Sequence, residues 1–144
     1  MANQTMTKFG YPDSVVGETT YWCALLRPRQ LTAGCLVLVC KEDGMGLGEI
    51  SPEAGAELPM VASRIEAAVG AAFNPEKFNY LALMMNDPHV HFHVIPRYSR
   101  IVEVGGAEIP DPTWPKPPDM GAAADLTDDQ MATMHETLKD NWPR

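Results

Sequence analysis

The sequence predicts an α+β fold, and three observations carry that reading. Several short runs rich in valine, leucine and aromatic residues have the length and β-branched content of strands. One long amphipathic stretch, "SPEAGAELPMVASRIEAAVGAAFNPE", lies between them with the spacing of a helix. A second stretch with helix-start signals, "LTDDQMATMHETLKDNW", closes the chain. At 144 residues the whole fits one domain, large enough to bury a core without staples.

Residues 11–19, "YPDSVVGET", read as a turn leading into a short strand. "TYWCALLRPRQ" reads as a strand ended by Pro28, because proline cannot donate to a ladder. In "LTAGCLVLVCKED", Gly34 punctuates and Cys35 to Cys40 form a continuous apolar run, favouring a buried strand. The long helix has Ser51 as N-cap, Pro52 at its first position and Glu53 at the positive end of its dipole. Leu58, Val61, Ile65, Ala68, Val69 and Ala72 give one apolar stripe. Pro59 is expected to kink or reset the first turn, and Asn74-Pro75 to stop the helix. "FNYLALMM" and "HVHFHVI" then read as an antiparallel hairpin joined by a tight turn at "NDP".

From Ile101 to Gly121 the character changes. "EIPDPTWPKPPDMG" carries five prolines and forms neither a regular helix nor a central strand. Two readings stay open: a flexible tail, or, because of Trp114, a segment lying on the surface of the fold or of a partner. The closing helix has a capping box in Thr127 and Gln130, with Asp128 and Asp129 in its first turn.

Composition excludes several classes. A net charge of −8 argues against a general nucleic-acid binder, which needs a basic face, but allows a small anionic ligand held by a local cluster of imidazoles and arginines. No apolar run reaches the roughly 18 residues of a membrane span, and "MANQTMTKFG" lacks the order of a secretory signal, so a cytoplasmic protein is expected. Three cysteines, Cys23, Cys35 and Cys40, without C-x-x-C spacing argue against a disulfide framework or a cysteine zinc site. Cys35 and Cys40 read as buried small hydrophobes.

"HVHFHVIPRY" concentrates three of the four histidines. On a strand His89, His91 and His93 share one face, looking out into solvent or a cleft, while Val90, Phe92 and Val94 look inward. Three readings compete. Core histidines are usually just hydrogen-bonded, which explains three in register poorly. A metal site is weakened because the outer two lie roughly 13 Å apart at about 3.3 Å per residue, too far to close on one ion easily. Attack on phosphorus by a neutral imidazole needs three same-face imidazoles and no metal, and fits best.

These residues resemble the histidine triad (HIT) superfamily, whose H-φ-H-φ-H-φ-φ signature (φ apolar) is matched by "HVHFHVI". Upstream, "RPRQLTAGCLVLVCKED" is similar to the family's strand beside the nucleotide, and the similarity covers roughly residues 14 to 100. The resemblance implies a five-stranded antiparallel sheet with helices and a homodimer. It implies hydrolysis or transfer at the α-phosphate of a purine nucleotide derivative, a phosphoramidate or dinucleoside polyphosphate, through a nucleotidylated histidine and without a cofactor. His91 would be the nucleophile, His89 would orient and brace it, and His93 would contact the phosphate. On this division residues 1–100 are the HIT domain, and 101–144 are the proline-rich arm and closing helix packed on it.

Several positions depart from the family's pattern. Cys35 follows Gly34 where the hydrolase branches commonly have a fourth histidine, and only Asn86-Asp87-Pro88 stands for their longer loop before the motif. Arg27 stands near where an asparagine or aspartate is common. Asn86, Arg27 and Cys35 are therefore the expected substrate-side residues, whereas Arg97 is read as a solvated charge. An enzyme of the triad type is one hypothesis, and a nucleotide-binding module with little turnover is the other. Metal-dependent hydrolysis would be separated from both by loss of activity with chelator.

Overall fold

The structure, a computed structural model, describes residues 2–144. In chain order the elements are helix α1 (Gln4–Lys8), strands β1 (Val15–Glu18), β2 (Trp22–Leu26) and β3 (Leu36–Cys40), and helix α2 (Pro52–Phe73). Strands β4 (Lys77–Leu81) and β5 (His91–Arg97) follow, then the short pair β6 (Val102–Val104) and β7 (Ala107–Ile109), and helix α3 (Asp128–Asn141). The main sheet is antiparallel throughout, in the order β1-β2-β3-β5-β4, and β6 pairs with β7 separately. The fold is α+β, as expected. Among the described residues no helix is long and apolar enough to cross a membrane.

Central strands β2 and β3 are buried at every position, which is why "WCALL" and "LVLVC" are continuously apolar rather than alternating. On one face Trp22, Ala24, Leu26, Leu36, Leu38 and Val94 meet Val61, Ile65 and Val69 of α2 and Met134 and Leu138 of α3. Trp22 donates its indole N–H to the Ala54 carbonyl at 2.8 Å, so the buried polar atom of this large side chain is satisfied. On the other face Cys23, Leu25, Val37 and Val39 pack against Met6 of α1. Gly34, at φ +86°, precedes β3 where a Cβ would meet Val69 and Phe73 at 3.2–3.3 Å, so both backbone and space favour glycine there.

The Ser51 hydroxyl accepts from the Ala54 N–H, and Asn74 ends α2 in the left-handed region at φ 51°. Pro59 does not reset the helix, which runs through it without a break. Removing a helical N–H costs about 3 kcal/mol, but burial of Val61, Ile65 and Val69 beyond it stabilises by roughly 1.5–3 kcal/mol each.

The hairpin of β4 and β5 is antiparallel as expected, but its connection is not a tight turn at Asn86-Asp87-Pro88. It spans residues 82–90. The cause lies in residue 90: its N–H donates to Gly44 O at 3.2 Å and its carbonyl accepts from Cys40 N at 2.9 Å. Cys40 is the last residue of β3 and Gly44 lies in the segment after it, so Val90 is held there and β4 is left unpaired beyond Leu81.

The proline-rich arm lies on its own fold. Ala124 N–H donates to Gln30 O at 2.7 Å and Arg29 Nη2 to Gly121 O at 3.1 Å. Trp114 is half-buried in a hollow of about 220 Å³ with Tyr98, Ile101 and Pro110. Arg97 is no solvated charge, contrary to expectation. It is 4% exposed, forms a bidentate pair with Asp111 (Nε–Oδ2 2.7 Å, Nη2–Oδ1 3.2 Å), and also donates to Asn79 Oδ1, Thr113 Oγ1 and the Lys116 carbonyl. Desolvation pushes the Asp111 carboxyl up, but hydrogen bonds from Arg97 and the Tyr98 N–H outweigh it and hold its pKa below the ordinary value. The fourth histidine is structural: His135 Nε2 donates to Val15 O at 2.7 Å, tying α3 to β1.

Candidate active site

Strand alternation places His91 and His93 on the α1 face of the sheet, where they pair with Val39 and Val37 of β3. Phe92 and Val94 point the other way, against the α2 core. His89 lies before β5 in the connecting loop. The expected sharing of one side therefore holds for His91 and His93 as strand residues, and His89 reaches them through the loop.

The imidazoles do not look into solvent. His89, His91 and His93 are 7%, 1% and 8% exposed. The cover is α1, an element the sequence reading did not include. Asn3 caps it, accepting from Met6 N at 3.0 Å, and ties it down by donating to the carbonyls of Cys40 at 2.9 Å and Glu42 at 3.3 Å. Met6 fills the small core beneath, and Lys8 pairs with Asp87 of the β4–β5 loop at 2.5 Å. The Phe9 ring then lies 6.2 Å from His91 and 6.3 Å from His93.

Within the cluster each ring has a distinct environment. His91 Nδ1 is 2.7 Å from the His89 carbonyl. A carbonyl only accepts, so this contact places the proton on Nδ1 and leaves the lone pair on Nε2. His89 Nδ1 is 2.9 Å from Thr5 Oγ1, which also accepts from the His89 N–H at 3.4 Å, so Thr5 braces the first histidine. His93 stands 5.1 Å from His91, nearly perpendicular, and its Nδ1 is buried without a protein partner. Burial, then His91 and Arg27, push the His93 pKa down from 6.5 to about 4, against a smaller opposing effect of Asp87; the ring is neutral near pH 7.

Of the expected substrate-side residues, Arg27 is the one whose charge acts on the triad. It follows Leu26 at the end of β2, its N–H donates to Cys35 O at 3.0 Å, and its guanidinium acts electrostatically on His93. Burial lowers its pKa, yet a guanidinium stays protonated at neutral pH. Asn86 is exposed and lines a shallow hollow of about 280 Å³ with Gln4, Thr5, Lys8, Asp87 and Pro88, at the His89 end. Cys35 is wholly buried with Leu31 and Ile95, its thiol donating to Thr32 O at 3.3 Å, and burial pushes its pKa up. It packs the floor of the sheet. Among the described residues no three His, Cys, Asp or Glu side chains are grouped to hold a metal ion.

Thr5 and Phe9 are the site residues that sequence reasoning missed. The available signal was Asn3, a helix-capping residue type just before "QTMTK".

Comparison with known proteins agrees with this fold. A family model described as the HIT domain matches residues 8–100. A histidine triad (HIT) protein from Sinorhizobium meliloti superposes with a TM-score of 0.73 at 23% identity, over 98% of this chain and 96% of that one. A histidine triad protein from Bradyrhizobium japonicum gives 0.73 at 17% identity, over 99% and 97%. One from Marinobacter aquaeolei gives 0.69 at 25% identity, over 89% and 87%. No curated protein matches the chain.

Proposed function

The chain belongs to the histidine triad (HIT) family, and on that footing we propose that it hydrolyses or transfers at the α-phosphate of a purine nucleotide derivative through a covalent nucleotidyl-histidine. The observation that carries the reading is the 2.7 Å contact between His91 Nδ1 and the His89 carbonyl. It fixes the tautomer in which Nε2 is a nucleophile without prior loss of a proton. In the first step the Nε2 lone pair forms a bond to the α-phosphorus, and the bond to the leaving group breaks, its electron pair departing with that group. In the second, water or another acceptor attacks phosphorus and releases its proton to solvent, the P–N bond breaks, and the pair returns to Nε2. The departed leaving group takes up one proton from solvent, so the two steps balance. His93, neutral, donates an N–H to a phosphoryl oxygen where charge develops. His89, braced by Thr5, holds the backbone carbonyl that orients His91. No metal has a part in these steps.

The reading is tested by steady-state turnover of adenosine phosphoramidate and a diadenosine polyphosphate. His91→Ala lowers kcat by a factor of at least about a thousand, while chelator leaves the wild-type rate unchanged. The competing reading, a binding module with little turnover, is favoured by the 1% exposure of His91 beneath α1. Measurable nucleotide affinity with no turnover would establish it. We also infer that two copies associate, since β4 is an edge strand of the main sheet, half-buried and open along one side. Sedimentation at micromolar concentration reads the dimer directly. On this reading the arm and α3 belong to the same unit as the triad, because Arg97 at the end of the triad's strand is held by the arm.

A further inference from the structure

The described residues contain two buried side-chain nitrogen or oxygen atoms without a hydrogen-bond partner, Arg27 Nε and His93 Nδ1. Both are on the triad face of the sheet. Arg27 Nε is always a donor, whereas the neutral His93 ring has a single N–H. A buried donor left unpaired costs roughly 1–3 kcal/mol, more when charged, and native interiors rarely leave one without reason. The contrast with Arg97 is direct. That buried guanidinium is answered by five protein hydrogen bonds, two of them to Asp111. Arg27 has only the Arg29 carbonyl on Nη1. The ion pairs among the described residues are Lys8–Asp87, Lys41–Glu18, Arg97–Asp111 and Arg100–Glu76, so no carboxylate neutralises it.

Register places this open cation relative to the reacting position. Leu25 pairs with Val37, and Val37 with His93, while Cys23 pairs with Val39, and Val39 with His91. Arg27 is one same-face step beyond Leu25, about 6.8 Å along the strand, so it lies past His93 on the side away from His91. A group extending from the reacting phosphoryl past His93 would run toward it. We propose that Arg27 forms a second anion subsite past His93, beside the reacting phosphoryl, so that this chain favours nucleotides carrying a further ionised group next to the one His91 attacks. The further anion is either the next phosphate along the chain or a phosphate on the sugar. The proposal rests on the nucleotide reading above and adds a charge requirement to it.

The test is calorimetric affinity of the full-length protein for AMP, ADP and adenosine 3′,5′-bisphosphate, in the wild type and in Arg27→Gln and Arg27→Lys. A charge-assisted bond in a partly buried site gives the wild type an advantage of about tenfold or more for a doubly phosphorylated ligand over AMP. That ratio collapses toward one in Arg27→Gln and is partly kept in Arg27→Lys. An advantage for ADP alone places the anion on the phosphate chain, and one for the bisphosphate alone places it on the sugar. Equal wild-type affinity for all three, no binding of any, or a ratio unchanged in Arg27→Gln would each overturn the subsite. If Arg27→Gln does not fold, the wild-type ratio and Arg27→Lys still decide. Failure of the nucleotidyl-transfer reading shows differently, as absence of turnover dependent on His91.

Discussion

His93 shows how one residue's surroundings set both chemistry and stability. Burial beside His91 and Arg27 keeps its ring neutral near pH 7, lowering its pKa from 6.5 to about 4, and in the proposed reaction this neutral ring is the donor to phosphate. The sign of the stability effect follows from linkage. As pH falls below 6.5 the unfolded chain takes up a proton at this ring and the folded chain does not, so unfolding is favoured until the folded ring titrates near 4. Stability from this group is therefore complete above 6.5 and is lost across that window. His93→Gln should flatten it: the difference in urea midpoint between about pH 7 and about pH 5 narrows in the variant. An unchanged difference would show that His93 is not depressed.

At the scale of elements, what holds the site is split between two segments of different legibility. The sheet strands and α2 were readable because their signals are local: β-branched runs, the Ser51 cap, the three- and four-residue stripe. Helix α1 was not, since Gln4–Lys8 is too short to show a period and its fastening is long-range, from Asn3 to the carbonyls of Cys40 and Glu42. The β4–β5 connection was misread for the same kind of reason, because Val90 is held by Cys40 and Gly44 rather than by its own hairpin. The arm's role was also hidden: no periodicity in a proline-rich stretch announces that its Asp111 answers Arg97. Its energetic weight can be measured. Asp111→Ala leaves a buried guanidinium without its carboxylate and should cost about 3–5 kcal/mol in denaturant unfolding. A loss below about 1 kcal/mol would mean the arm only drapes over the fold.

For the whole molecule, the triad's identity was legible while its burial was not. Period-two spacing in "HVHFHVI" put His91 and His93 on one face, and the structure keeps them there, but the same face is closed by α1 and Phe9. Arg27 was legible as a departure in sequence, and only the fold shows its guanidinium acting on His93 with an open Nε. Everything about function turns on whether His91 Nε2 bonds to phosphorus. The most direct measurement is intact-protein mass after brief incubation with adenosine phosphoramidate, quenched under mildly alkaline conditions that preserve phosphoramidates, with His91→Ala alongside. The account predicts a transient gain of one adenylyl group in the wild type and none in His91→Ala. Turnover with no adduct at any time, or an adduct that persists in His91→Ala, would contradict it.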